Sequence, residues 1–142
     1  MTTAERTLSG RDINLAAAAS RSLVTVLLDR EELTFGQYMV LRMAALEAVT
    51  EETLLEKAAG PAVGTVAELR PAIGLLSGRG LLAGNDVFEA TPAGRELVER
   101  ITTESTAAGD RLFEGFTAEE LATTKRVLDL VTERASEVRD AL

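Results

Sequence analysis

Capping boxes recur along this chain and fix where several of its helices begin. In a capping box, a Ser or Thr side chain accepts a hydrogen bond from the backbone N–H three residues on, and a Glu or Gln there bonds back to the cap. Capping boxes are predicted at Thr34–Gln37, Thr65–Glu68 and Thr117–Glu120. A chain with this many helix-start signals is expected to be mostly helical.

Apolar side chains recur at three- and four-residue spacing between these signals, which is typical of amphipathic helices. Thr50 and Thr91-Pro92 supply two further helix starts, and Gly60-Pro61 and Gly78 supply stops. The predicted helices cover 12–30, from near Phe35 to near Val49, 51–59, 66–77, from Pro92 onward, and from 118 to the end.

Pro71 interrupts the fourth of these helices about six residues after its start. Proline removes one backbone hydrogen bond and clashes with the preceding turn. The helix is therefore either kinked at this point or begins at Pro71, and the pattern alone leaves both open.

Two short apolar segments, 81–83 and 87–90, flank the turn sequence Gly84-Asn85-Asp86 and predict a small β-hairpin. Three short helices followed by a hairpin form the winged-helix arrangement. The expected fold class is mostly α: a winged helix-turn-helix of three helices plus a β-hairpin wing, with long N- and C-terminal helices. At 142 residues the chain is expected to be one domain.

The last helix carries a heptad-like apolar seam with Leu121, Leu128 and Ala135 seven residues apart, and Val131 and Val138 between them. This seam packs either onto the chain's own first helix or onto a second copy. Long terminal helices are hard to cover within one small chain, so dimerisation is the favoured interpretation.

The chain contains neither Cys nor His. This excludes disulfides, thiolate nucleophiles, Cys/His zinc sites and a Ser-His-Asp triad, so no enzymatic function, cofactor or metal is predicted. No apolar run is long enough for a membrane span and no signal-peptide pattern occurs, so a cytoplasmic location is expected.

The net charge of −8 by itself argues against a nucleic-acid partner, because phosphate contacts need Lys and Arg. The acid is unevenly placed: residues 96–142 hold eleven acidic and six basic side chains, a net of −5. The segment 60–85 is close to neutral, which permits DNA binding without indicating it.

The segment 50–82 has the layout of a helix-turn-helix unit, which presents the first turns of its second helix to the major groove. Ala67, Glu68 and Arg70 would be exposed there, with Arg70 able to pair with guanine or phosphate. The competing interpretation is an ordinary helical hairpin in a packed bundle.

Four short motifs, in order, resemble those of the MarR family of bacterial transcription regulators. Residues 33–41 (LTFGQYMVL) are similar to its L-T-x-x-Q-[WY]-x-V-L motif, and 75–82 (LLSGRGLL) to the end of its recognition helix. Residues 90–97 (ATPAGREL) resemble L-T-P-x-G-R-x-L, and 116–121 (FTAEEL) resemble L-S-x-E-E-L.

The resemblance implies a homodimer that grips a pseudo-palindromic operator in double-stranded DNA and is often released by a small aromatic or phenolic ligand. It implies a winged-helix lobe over 34–95 and dimerisation helices over 10–30 and 96–142. Candidate residues follow for DNA contact (Thr65, Ala67, Glu68, Arg70, Arg79, Lys57), for ligand contact (Tyr38, Arg42) and for dimerisation (Leu121, Leu128, Val131, Ala135, Val138).

Two departures from the family pattern affect DNA binding. The wing is shorter and lacks the D-x-R segment, with Asn85 and Asp86 at its tip, and the recognition helix carries Ala67, Glu68 and Pro71 where Ser and Thr are usual. The alternative function is therefore a MarR-like ligand-sensing or protein-interaction dimer that no longer reads DNA.

Overall fold

The computed structural model describes residues 6–142, which form seven helices and three strands. The helices are α1 (Gly10–Arg30), α2 (Phe35–Leu46), α3 (Glu51–Ala58), α4 (Val66–Leu69), α5 (Pro71–Gly78), α6 (Pro92–Leu112) and α7 (Ala118–Ala141). The strands are β1 (Val49–Thr50), β2 (Leu82–Gly84) and β3 (Val87–Ala90). The mostly helical winged-helix arrangement expected from the sequence is confirmed.

The chain divides into two compact units, one ending at Ala108 and the other covering Gly109–Leu142. The first unit holds the core, the strands and the three short helices. The second holds the last turn of α6 and all of α7. In neither unit, over residues 6–142, is a helix both long and apolar enough to cross a membrane.

The core of the first unit lies where α2 packs against α3, α5 and β3. Its largest fully enclosed side chains are Leu41, Leu54, Leu55, Leu76, Ile101 and Val40. None of the described residues buries a polar or charged side chain in this core. The winged-helix lobe is thus held by aliphatic packing, in keeping with the scarcity of aromatic residues.

The sheet has the order β1-β3-β2 and is antiparallel throughout. The hairpin β2–β3 is the predicted wing. The prediction that the second helix continues to near Val49 was wrong: α2 ends at Leu46, and Val49 pairs with Phe88 in β1. The local reason is that Thr50 takes an extended conformation to cap α3, and Val49, a β-branched residue, is buried beside β3.

Pro71 divides this helix into two, although the backbone stays in the right-handed helical conformation across the break. Arg70 lies between α4 and α5 with φ −53° and ψ −41°, which is right-handed helical, and Pro71 is the first residue of α5. Proline suits the first position of a helix, where its missing N–H costs little. The second helix of the helix-turn-helix unit is therefore two short helices in succession.

All three predicted capping boxes are present, and Ser9 with Asp12 adds a fourth at the start of α1. Hydrogen bonds from the Ser9 side chain and backbone lower the pKa of Asp12. Hydrogen bonds from the Thr117 backbone and side chain lower the pKa of Glu120 in the same way. Both carboxylates are thus favoured in the charged form that caps the helix.

Candidate nucleic-acid interface

The helix-turn-helix unit is built from α3 and the α4–α5 pair, joined by a turn in which Gly60 and Gly64 bond to each other's backbone. Leu69 and Ile73 are buried and hold α4 and α5 against the core. Ala67, Glu68 and Arg70 are exposed on the other side. The structure therefore places these three predicted contact residues together on an outward surface, which we call the reading face.

Two predicted contact residues, Thr65 and Glu68, are engaged with each other. The Thr65 N–H donates to Glu68 Oε1 at 3.1 Å, and the Glu68 N–H donates to Thr65 Oγ1 at 3.1 Å. The Glu68 carboxylate is therefore partly used as a helix cap, which reduces the acceptor capacity left for a cytosine amino group.

Arg70 lies between two acids from the first turn of α3. Its guanidinium is 3.5 Å from Glu51 Oε2 and 3.0 Å from Glu52 Oε1, and its side chain remains 46% exposed. The carboxylates are favourably placed at the α3 N-terminus, where the helix dipole is positive. The arginine that the sequence marks as the main DNA contact is thus paired with acids of its own chain.

The other two predicted bases also have partners. Lys57 Nζ is 3.3 Å from Glu47 Oε2, and both side chains are exposed. Arg79 donates from its two terminal nitrogens to the backbone oxygens of Glu31, at 2.8 Å, and Glu32, at 3.0 Å. Local sequence patterns do not predict these pairings, because each joins residues ten or more positions apart.

Exposed ion pairs of this kind contribute only about 0–1 kcal/mol, so phosphate can replace the carboxylate partner of Arg70 or Lys57. Asn85 and Asp86 are exposed at the tip of the wing, and neither is a base. Arg95 of α6 is paired with Glu89 of β3, at 3.5 Å. The charged side chains of this surface thus form weak, exposed ion pairs whose carboxylates another anion can replace.

The two predicted ligand residues differ in exposure. Tyr38 is buried on α2, with its hydroxyl 3.3 Å from Thr102 Oγ1, whereas Arg42, one turn later, is exposed. An open surface depression of about 650 Å³ lies instead along the exposed face of α1, lined by Ala17, Ala18, Arg21, Ser22, Thr25 and Val26. The Arg21 guanidinium stands 5.4 Å from the centre of the Phe35 ring, a cation–π contact that sequence reasoning missed.

The predicted dimerisation residues share one property: each is exposed in the single chain. No residue of α7 is buried, and the seam consists of Leu121, Leu128, Val131, Ala135 and Val138. Within the first unit, α1 likewise exposes Leu15 and Val26. Each of these two helices has apolar surface that the core described above does not cover.

No protein-family model and no curated protein sequence matches this chain. Solved structures do match it along most of its length. The Mycobacterium tuberculosis MarR family protein Rv2887, in complex with DNA, is 23% identical with a TM-score of 0.70, covering 89% of this chain and 98% of that one.

Two further structures have similar values. A MarR family protein from Bacillus stearothermophilus is 17% identical with a TM-score of 0.69, covering 89% of this chain and 91% of that one. CouR from Rhodococcus jostii RHA1, bound to p-coumaroyl-CoA, is 20% identical with a TM-score of 0.64, covering 84% and 87%. With α3 to α5 as its helix-turn-helix and β2–β3 as its wing, the chain has a MarR-like winged-helix fold.

Proposed function

We propose that this protein is a DNA-binding transcription regulator that acts as a homodimer on a pseudo-palindromic operator. The observation that carries the proposal is the reading face: buried Leu69 and Ile73 fix α4 and α5, and Arg70 stands half-exposed on the outer side. A protein that shares this fold, Rv2887 of Mycobacterium tuberculosis, is described in complex with DNA, which supports DNA as the partner.

Arg70 is the main DNA contact in this proposal, to a guanine edge or to a phosphate. Lys57 adds a phosphate contact, and Thr65, Ala67 and Glu68 line the surface at the start of α4. Because Glu51 and Glu52 hold the Arg70 guanidinium, DNA must displace them to reach it. The acids therefore lower the affinity for DNA below what the arginine alone would give.

Replacing Arg70 with Ala is expected to weaken operator binding by about 1–3 kcal/mol if Arg70 reads a guanine edge, and to lower the salt dependence as well if it contacts a phosphate. The companion variant Glu51→Gln/Glu52→Gln removes the competing carboxylates and is expected to bind DNA several-fold more tightly. Affinity is measured by fluorescence anisotropy at several salt concentrations. The double variant Glu133→Gln/Glu137→Gln on α7 makes the same charge change elsewhere and controls for net charge. Unchanged affinity in Arg70→Ala would remove Arg70 from the interface.

The dimer is proposed on the uncovered seam of α7. Leu128 and Val131 are 41% and 38% exposed in the single chain, and a second copy would bury both. Burial of apolar surface gives about 25 cal/mol per Å², so a continuous seam of this kind favours association. Two copies also supply the two reading faces that a pseudo-palindromic site requires.

A small aromatic or phenolic effector is proposed as the regulating ligand, with Tyr38 and Arg42 as candidate contacts. The support for an anionic aromatic ligand is chemical and comes from α1: its exposed face holds Arg21, a cation suited to a carboxylate, next to the Phe35 ring. Tyr38 and Arg42 do not line that face, and they are proposed on the family resemblance. CouR, which shares the fold, is described in complex with p-coumaroyl-CoA.

A second candidate function is a MarR-like ligand-sensing or protein-interaction dimer that does not read DNA. It is favoured by the acidic partners of Arg70 and Lys57 and by Asp86 at the wing tip. Under this alternative, Glu51→Gln/Glu52→Gln would show no specific DNA binding even at low salt. Tight binding by that variant would support the DNA-reading proposal.

A further inference from the structure

The last turn of α1 ends in a Schellman motif, in which backbone N–H groups beyond the helix bond back to its last carbonyls. The Leu33 N–H donates to Leu28 O at 3.0 Å, and the Glu32 N–H donates to Asp29 O at 3.1 Å. Glu32 has φ +54°, the left-handed conformation that this cap requires. Leu28 and Leu33 are both buried, which is the apolar contact that accompanies the motif.

Helix α5 ends in a Schellman motif as well. The Leu81 N–H donates to Leu76 O and the Gly80 N–H donates to Ser77 O, both at 3.0 Å. Here Gly80 takes the left-handed position with φ +74°. Arg79 is the cap residue of this end, directly before Gly80.

The Arg79 side chain joins the two capped ends. Its guanidinium donates to the carbonyl oxygens of Glu31 and Glu32, which are the cap and the following residue of α1. The Glu31 oxygen lies at the C-terminal end of α1, where the helix dipole is negative, and a planar guanidinium can serve two acceptors at once. Arg100 of α6 pairs with the Glu31 carboxylate at 3.0 Å, so a third helix meets the same point.

We infer that Arg79 is a positioning residue for DNA reading, which fixes the end of α5 against the end of α1. It rests on the proposed function, and it assigns Arg79 a different role from the phosphate contact that the family resemblance implies. Two of the five guanidinium N–H donors bond to these backbone oxygens, and they hold the Arg79 side chain against the end of α1. Its influence on DNA affinity then comes from the orientation of the reading face.

The conservative variant Arg79→Lys separates the two roles. Lysine keeps the positive charge and still binds phosphate, but one ammonium group cannot reproduce the two-pronged contact with both carbonyls. If Arg79 positions the helix, Arg79→Lys and Arg79→Ala each lower the affinity for DNA about tenfold. The slope of log affinity against log salt concentration then stays at its wild-type value in both variants. If Arg79 contacts phosphate, Arg79→Lys binds like wild type and Arg79→Ala lowers the slope by about one.

The experiment measures binding of the full chain to a random-sequence duplex pool and to the fragment it enriches, over a series of salt concentrations. Arg126→Ala on α7 matches the charge change of Arg79→Ala and is expected to bind like wild type. Helix content and the unfolding midpoint are recorded for every variant, and binding is measured well below the lowest midpoint. A residue that only adds stability would shift the midpoint and leave the affinity of the folded protein unchanged.

Equal losses in Arg79→Lys and Arg79→Ala at constant slope would support the positioning role. Wild-type affinity in Arg79→Lys, or in both variants, would overturn it while leaving the proposed function intact. Failure of the wild-type protein to retain any duplex, even at low salt, would overturn the proposed function and this inference with it.

Discussion

Replacing Gly94 with Ala is expected to lower the free energy of unfolding by about 3 kcal/mol, because the added methyl group has no room. Gly94 lies in the first turn of α6, and a Cβ built on it collides with the carbonyl oxygen of Leu81. It also comes within 3.2 Å of Leu41 Cδ1. The carbonyl cannot move freely, since it accepts a hydrogen bond from the Thr91 N–H at 3.0 Å.

Gly109, near the other end of α6, provides the matched control. A Cβ at Gly109 meets nothing within 4 Å, so Gly109→Ala is expected to raise the free energy of unfolding by about 0.5–1 kcal/mol through helix propensity. Urea titration followed by circular dichroism measures both variants at one temperature. Equal stability of the two variants would contradict the close approach of α6 to Leu81.

Introducing aspartate at Leu128 and Val131 together is expected to separate the proposed dimer into monomers and to reduce affinity for the proposed operator by about 100-fold or more. Charges in the seam would have to be buried without partners in the dimer. A monomer then loses the gain in effective concentration that two linked reading faces provide. Sedimentation velocity gives the oligomeric state, and anisotropy gives the affinity.

Thr123→Asp/Ser136→Asp places the same two negative charges on the side of α7 away from the seam and is expected to leave the proposed dimer intact. Helix content must match wild type in both proteins, since α7 is solvent-exposed along its length in one chain. A Leu128→Asp/Val131→Asp protein that remains dimeric would show that α7 does not form the interface.

The elements that the sequence predicts best are those whose signals are local. Capping boxes mark the starts of α2, α4 and α7 because the bonding groups are only three residues apart. The Gly84-Asn85-Asp86 turn fixes the wing for the same reason. Strand β1 was missed because it pairs with Val87 and Phe88 of β3, almost 40 residues away. A strand of two residues is also too short to show the alternation of apolar and polar side chains that predicts a strand.

The candidate site shows the same limit. Burial of Leu69 and exposure of Ala67 and Arg70 follow from helical spacing, and the structure confirms them. The partners of the charged residues do not follow, because packing decides them. Glu52 meets Arg70 across the helix-turn-helix unit, and the oxygens of Glu31 and Glu32 meet Arg79 across almost 50 residues.

The proposal that this protein reads DNA as a dimer is tested by selecting bound fragments from the source genome with purified protein and then measuring affinity at several salt concentrations. We expect enrichment of one pseudo-palindromic site, with affinity that falls as salt rises because phosphate contacts release counterions. Absence of any enriched site at low salt would contradict it and would favour a dimer that senses a ligand or a protein partner without reading DNA.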